Sequence, residues 1–331
     1  MRQKTAVVAG AGGFIGHHLV TFLNAEGYRV RGVDVKEPEY ERSPADEFDL
    51  LDLRQWPNCL RATAGVDEVY QLAADMGGIG YISKNHADVA RNNVLINAHM
   101  LEAAVENSVG RFFYSSSACV YPQYLQMTAD VAGLKEEDAY PADPEEGYGW
   151  EKLYSEKLCE YYAAEKRLAT RVARFHNVYG PLGTYEGGRE KVPAAVCRKV
   201  ALAQDGGTIQ VWGDGRQTRS FMYIDDCVEG IHRITESDQA TPLNLGTDVM
   251  VTVDDLYDLV CDIAGKTLTK HHDTTKPQGV RGRNSDNRRL AEALGWTPTV
   301  PLRDGLDRTY RWIEADLQRR GTVTTVTAKI G

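Results

Sequence analysis

The chain has 331 residues, of which 42% are hydrophobic and 26% charged, enough apolar material for one large domain or two modest ones. A formal net charge of −9 argues against nucleic acid or an anionic membrane surface as the main partner, so any phosphate site must rest on a local basic cluster. The start lacks a signal-peptide pattern and no apolar stretch reaches spanning length, which predicts a cytoplasmic protein.

Thr5 to Ala9 predicts a short apolar strand that runs into Gly10-Ala11-Gly12-Gly13-Phe14-Ile15-Gly16, followed by a helical pattern carrying Leu19, Val20, Phe22 and Leu23. Glycines at such a turn permit a tight bend and let backbone amides approach a pyrophosphate at the positive end of the helix. Gly10, Gly12, Gly13, Phe14, Ile15 and Gly16 are therefore candidate dinucleotide contacts. A second strand, Arg29 to Val33, ends in Asp34, 18 residues past Gly16. A carboxylate there can accept hydrogen bonds from a ribose diol and would repel a 2′-phosphate, which favours NAD over NADP. Asp52, within Leu50-Leu51-Asp52-Leu53, is expected near the adenine end.

Val69 to Ala74 reads as a further strand, with Leu72 a cofactor contact, entering the glycine-rich loop Asp75 to Gly80. Gly77 in that loop would let a cofactor or sugar approach the backbone. A long helix from about Lys84 to Glu106 precedes the strand that carries Tyr114-Ser115-Ser116-Ser117-Ala118-Cys119. If that strand continues to its end, period-two geometry points Ser117 and Cys119 to one side, a hydroxyl and a thiol facing one ligand. Taken alone, the stretch also fits a serine-rich strand end with a buried free thiol. The alternation of strands and helices predicts an α/β fold, a doubly wound parallel sheet whose ligand crevice lies at the carboxyl ends of the strands.

After an acidic, proline-bearing loop, Tyr148-Gly149-Trp150-Glu151-Lys152 opens a helical run to about Lys166. Tyr148 and Lys152 stand four apart on one helix face, where an ammonium would favour the phenolate and lower the Tyr148 pKa toward working pH. Such pairs are common surface features, but beside a dinucleotide turn and an upstream serine the pattern reads as a catalytic set of Ser117, Tyr148 and Lys152.

The strand Ala169 to Arg174 is expected to be the last of the sheet. Beyond Pro181 the alternation breaks down, which predicts a cofactor domain over 1–180 and a smaller α+β substrate domain over 181–331, with some segments returning. Strands are expected at Gln210 to Trp212 and Leu243 to Gly246, and helices at Asp226 to Thr235, Val253 to Ala264, Arg288 to Leu294 and Leu302 to Arg319, before a loose polar tail from Gly321. Basic residues in this half are ordinarily solvated surface charges. Arg219 and Arg283, near Gly or Pro in loops, are nonetheless anion-binding candidates, with Lys199 open between the two readings. Cys59, Cys119, Cys159, Cys197, Cys227 and Cys261 are widely spaced, the histidines form no ligand constellation, and His176 reads as structural, so no metal is implied.

The motifs GAGGFIG, LDLR, SSSACVYP and YGWEK resemble the extended short-chain dehydrogenase/reductase family of nucleotide-sugar enzymes, which has a Rossmann-type fold. LAADMGG at Leu72 to Gly78, RFHNVYGP at Arg174 to Pro181, GGREKVPAA at Gly187 to Ala195, WGDGRQTRSF at Trp212 to Phe221 and GVRGRNSDN at Gly279 to Asn287 are similar to the branch of that family acting on GDP-mannose. The resemblance covers nearly the whole chain. It implies NAD as cofactor, GDP-mannose or a related nucleotide sugar as substrate, a homodimer, and inversion at sugar carbons 3 and 5 through transient oxidation at carbon 4, giving GDP-L-galactose and GDP-L-gulose. Cys119 is then the implied base and Lys191 the implied acid, with a nearby lysine helping the thiol to ionise. The same resemblance implies substrate contacts at Gly77, Ser117, Ala118, Cys119, Asn177, Glu190, Lys191, Lys199, Gln217, Arg219 and Arg283.

Position 119 separates related activities: dehydratases of the family carry Glu there and simple 4-epimerases usually Thr. The NADP-dependent 3,5-epimerase/4-reductase of the GDP-fucose type shares the cysteine but pairs it with a histidine, and is the alternative enzyme reading, together with a nucleotide-sugar 4-epimerase. A catalytically silent NAD-sensing regulator on the same fold is the alternative of another class.

Overall fold

The computed structural model describes residues 2–77, 79–82, 84–276 and 278–322, so most of the expected loose tail lies outside the described residues. The first half runs β1 (Thr5–Ala9), α1 (Phe14–Ala25), β2 (Arg29–Asp34), β3 (Glu47–Leu50), α2 (Trp56–Thr63), β4 (Glu68–Gln71), α3 (Ile79–Ile82), α4 (His86–Glu106), β5 (Arg111–Ser117), α5 (Tyr148–Lys166) and β6 (Ala169–Phe175). The second half runs β7 (Val178–Tyr179), α6 (Val192–Leu202), β8 (Thr208–Trp212), β9 (Thr218–Ser220), β10 (Met222–Tyr223), α7 (Ile224–Glu236), β11 (Leu243–Leu245), β12 (Met250–Thr252), α8 (Val253–Ala264), β13 (Thr269–Asp273), β14 (Gly282–Arg283), α9 (Arg288–Leu294) and α10 (Leu302–Arg319).

Among the described residues, seven strands form one parallel sheet in the order β11-β6-β5-β4-β1-β2-β3, the expected doubly wound α/β architecture. Ala6 to Ala9 are fully buried because both faces of the sheet are covered. Period-two geometry divides their side chains: Ala6 and Val8 join Leu19, Leu23, Tyr70 and Phe113 in one core, while Val7 and Ala9 join Met100, Leu101, Phe112 and Val172 in the other. Helices α1 and α7 pack against each other on the first side, and α4 packs between α2 and α5 on the second. The chain leaves β1 toward β2 on one side and returns to β4 on the other, so the carboxyl end of β1 is the point where strand order reverses.

Two expectations are corrected here. The sheet does not end at β6: Leu243–Leu245 pairs in parallel with it, Leu243 opposite Ala173 and Leu245 opposite Phe175. Three consecutive buried residues give no periodicity by which a sequence pattern could assign them to this sheet. Nor does the β5 strand continue to Cys119. Pairing with β6 stops at Ser117, and Ala118–Val120 forms a 3-10 turn whose Cys119 amide donates to Ser117 Oγ at 3.2 Å. A serine at a strand end competes for the backbone in this way and turns the chain. The remaining pieces of the second half form small sheets, β12-β9-β14, β13-β8 and β10-β7, with α6, α8 and α10 packed together.

Candidate active site

A crevice of about 570 Å³ opens at the carboxyl ends of the sheet strands. Its floor is the turn between β1 and α1. Gly10 adopts φ +89°, and a Cβ on Gly16 would lie 2.1 Å from the Gly10 carbonyl oxygen, so helix and turn can meet this closely because neither residue has a side chain. Gly13 caps α1 without a side-chain hydrogen bond, which leaves first-turn amides to a ligand at the positive end of the helix. Asp34 ends β2 beside the turn. Its Oδ2 accepts from the Gly12 amide at 2.9 Å and its Oδ1 from the Val35 amide at 2.7 Å, which aims the carboxylate at the crevice while burial pushes its pKa up. Glycine turn, uncapped helix and oriented acid fit a dinucleotide: the turn and α1 would hold the pyrophosphate, and Asp34 an adjoining ribose.

Gly10, Gly13, Phe14, Ile15, Gly16, Asp34, Asp52, Leu72, Gly77, Ser117, Tyr148, Lys152, Asn177 and Lys191 all line this one crevice. Gly12 does not, because its amide turns back onto Asp34. The Asp52 carboxylate is bound by the Arg54 guanidinium through Nε and Nη2, both at 2.9 Å, which holds it below the usual carboxylate range. Arg54 also lines the crevice, as do Asp75 and Arg189, none of which sequence reasoning singled out.

Helix α5 brings Tyr148 and Lys152 to the wall opposite the turn. Its approach is close: a Cβ on Gly149 would stand 2.4 Å from the Cys119 carbonyl oxygen. Lys152 Nζ donates to the Ser115 carbonyl at 2.9 Å and lies 5.4 Å from the centre of the Tyr148 ring. Burial holds the ammonium below its ordinary value. The expected lowering of Tyr148 is not found. Burial pushes its pKa well above the ordinary value, Cys119 and Glu151 add to that, and the Ser117 hydroxyl opposes it by hydrogen bonding. Lys152 cannot reverse the shift while it serves the Ser115 carbonyl and lies 3.9 Å from Glu151.

Cys119 sits beyond the crevice wall, and the cation beside it is Arg283, whose Nη1 lies 3.7 Å from the sulfur. The expected lowering of the thiol pKa by a nearby lysine is corrected as well: burial pushes the thiol up, Glu145 adds to that, and Arg283 opposes both. The Glu145 side chain pairs with Arg283, and its amide donates to the Cys119 carbonyl at 3.0 Å. The sequence signal for Glu145 was its place in the acidic loop three residues before Tyr148, but its partner lies 138 residues away. Lys191, at the N-cap of α6, is held below the ordinary lysine value by desolvation, and Arg283 adds repulsion.

The other expected substrate contacts are scattered. Ala118 is buried in the 3-10 turn. Glu190 accepts from the Gly188 amide at 2.6 Å and faces Arg198 at 3.6 Å. Lys199 donates to the Gln210 carbonyl at 2.8 Å and lies 5.6 Å from the centre of the Trp212 ring. Gln217 donates to the Trp212 carbonyl at 3.0 Å, and its buried Oε1 has no partner among the described residues. Arg219 donates to the carbonyls of Thr218 and Val280, both at 2.7 Å, and its pKa falls to about 10 through burial. Asn177, with φ +44°, donates to the Ser220 carbonyl at 2.9 Å. His176 is fully buried against Asn244, as a structural residue would be. Among the described residues, no group of three or more His, Cys, Asp or Glu could hold a metal ion, and no helix is long and apolar enough to cross a membrane.

Residues 6–246 match the model of the NAD dependent epimerase/dehydratase family. GDP-mannose 3,5-epimerase 1 of Oryza sativa subsp. japonica is 49% identical over 317 residues, covering 95% of this chain and 83% of the relative. GDP-L-fucose synthase of Escherichia coli is 27% identical, covering 94% of this chain and 97% of that one. Among solved structures, UDP-glucuronic acid 4-epimerase from Bacillus cereus in complex with UDP-glucuronic acid and NAD superposes with a TM-score of 0.80 at 26% identity, covering 94% and 99% of the two chains.

Proposed function

The chain belongs to the NAD dependent epimerase/dehydratase family, and from that premise we propose that it is an NAD-dependent enzyme that inverts carbons 3 and 5 of the mannose of GDP-mannose. The observation that carries the reading is the convergence of Ser117, Tyr148, Lys152 and Lys191 on one crevice with the glycine turn and Asp34, while Cys119 lies behind its wall beside Arg283. A dinucleotide held by the glycine turn, the head of α1 and Asp34 would supply reversible hydride acceptance at carbon 4. Tyr148 takes the proton of the carbon-4 hydroxyl and later returns it, with the Ser117 hydroxyl lining the same crevice and Lys152 Nζ 5.4 Å from the centre of the ring. A ketone at carbon 4 makes the protons on carbons 3 and 5 acidic. Cys119 removes such a proton from one face of the ring and Lys191 delivers one from the other, so each centre inverts before carbon 4 is reduced again.

Asn177, Glu190, Lys199, Gln217, Arg219 and Arg283 belong to the proposed substrate set, with Arg219, Arg283 and Lys199 as its anion-binding candidates, and Gly77 and Ala118 complete it. The boundary at 180 separates a cofactor lobe from a mainly substrate lobe, with β11 returning to the cofactor sheet, and the working form is a cytoplasmic homodimer. The reductase alternative is supported less on two counts: Asp34 disfavours NADP, and the fucose synthase is far less similar than the epimerase. The test is incubation of purified protein with GDP-mannose and no added cofactor. GDP-L-galactose and GDP-L-gulose are expected on chromatography, and unchanged substrate would refute the reading.

A further inference from the structure

Arg283 is held on three sides. Its Nε donates to Gln126 Oε1 at 2.6 Å, its Nη2 pairs with the Glu145 carboxylate, and its Nη1 lies 3.7 Å from Cys119 Sγ. Both partners of the ion pair are largely withdrawn from solvent, with side-chain exposures of 9% for Arg283 and 16% for Glu145. A guanidinium is a rigid planar fork, so fixing two of its nitrogens fixes where the third points. The loop that carries the carboxylate is itself tied to the thiol's turn, through the Glu145 amide and the Cys119 carbonyl at 3.0 Å.

We propose that Glu145 is a positioning residue for the epimerisation step: it aims Arg283 at Cys119 and, through its own negative charge, keeps the thiol protonated in the substrate-free protein. The proposal rests on the reading of Cys119 as the proton-removing group. The charged and titratable groups that face the sulfur are Tyr148 and Lys152 from α5, Lys191 from the head of α6, Arg219 from β9, Arg283 from β14 and Glu145 from its loop. Four of these are cations and Glu145 is the one carboxylate in the set. Its removal leaves the thiol among cations, with Arg283 released from its counter-charge, and both changes favour the thiolate.

The experiment is the pH dependence of iodoacetamide alkylation in the cofactor-loaded protein, followed on the Cys119 peptide by mass spectrometry. Glu145→Gln should move the inflection to lower pH by about one unit, roughly tenfold more thiolate at a given pH below the inflection. An inflection that stays in place or moves up overturns the proposal. Glu145→Ser removes the same charge with a different shape, carries the same expectation, and decides the matter if the glutamine variant does not fold. The alkylation readout needs no turnover. If Cys119→Ser keeps solvent exchange at the sugar carbons, the reading of Cys119 as the base falls, whatever the alkylation profile shows.

Discussion

Tyr148 and Cys119 share an electrostatic situation: each is withdrawn from water, and each is pushed toward its neutral form. In the proposed reaction both accept protons, so the active species of each gains population as pH rises. The rate should therefore climb between about pH 7 and about pH 9 without levelling off, because each group is held above its ordinary ionisation range. A steady-state profile of kcat that is flat or falling over that range would contradict the assignment of proton acceptance to these two groups. How far such residues can be read from sequence depends on the distance over which they act. Tyr148 and Lys152 are legible because helical periodicity alone puts them on one face. Glu145 is not, because its role depends on an arginine brought in by β14, a strand of two residues. The direction of the Tyr148 shift is equally hidden, since the i, i+4 ammonium is visible in the sequence but the burial that outweighs it is not.

At the scale of elements, the end of β6 is locked to β11 by polar groups as well as by sheet pairing. His176 Nε2 lies 3.0 Å from Asn244 Oδ1, and Asn244 Nδ2 donates to the Leu134 carbonyl at 2.7 Å. Burial presses the His176 pKa down to about 3, against 6.5 for a free imidazole. Between those values the unfolded chain binds a proton that the folded chain does not. This stability is fully present above about pH 6.5 and is lost as pH falls toward about 3. At about pH 5 this one group should cost about 2 kcal/mol, and His176→Gln should show a shallower loss of stability on acidification in urea melts. Equal slopes for the two proteins would contradict this. The long helices α4, α5, α8 and α10 were readable from apolar periodicity to within about two residues at their ends. The strand β11 is legible as a strand but not as a member of this sheet, because Leu-Asn-Leu is too short to carry a pattern.

For the whole molecule, the doubly wound sheet followed from the alternation of strands and helices, whereas the division into lobes is less clean than composition suggests. One continuous core joins Val8, Leu19 and Phe113 of the first half to Ile224, Ile231, Leu243 and Leu245 of the second. That continuity braces the crevice, since Ala11 of the turn that would hold the dinucleotide and Ala194 and Val196 of α6, whose N-cap is Lys191, belong to the same core. On the proposed reading, one site would then serve both oxidation at carbon 4 and proton transfer at carbons 3 and 5. The most direct measurement is magnetic resonance of GDP-mannose incubated with the protein in deuterated water without added cofactor. Deuterium at carbons 3 and 5 and none at carbon 4 is the predicted result, because a hydride held on a dinucleotide would not exchange with solvent while the other two centres would take their protons from solvent-exchangeable groups. Label at neither carbon 3 nor carbon 5 would contradict the assignment of this protein as a 3,5-epimerase.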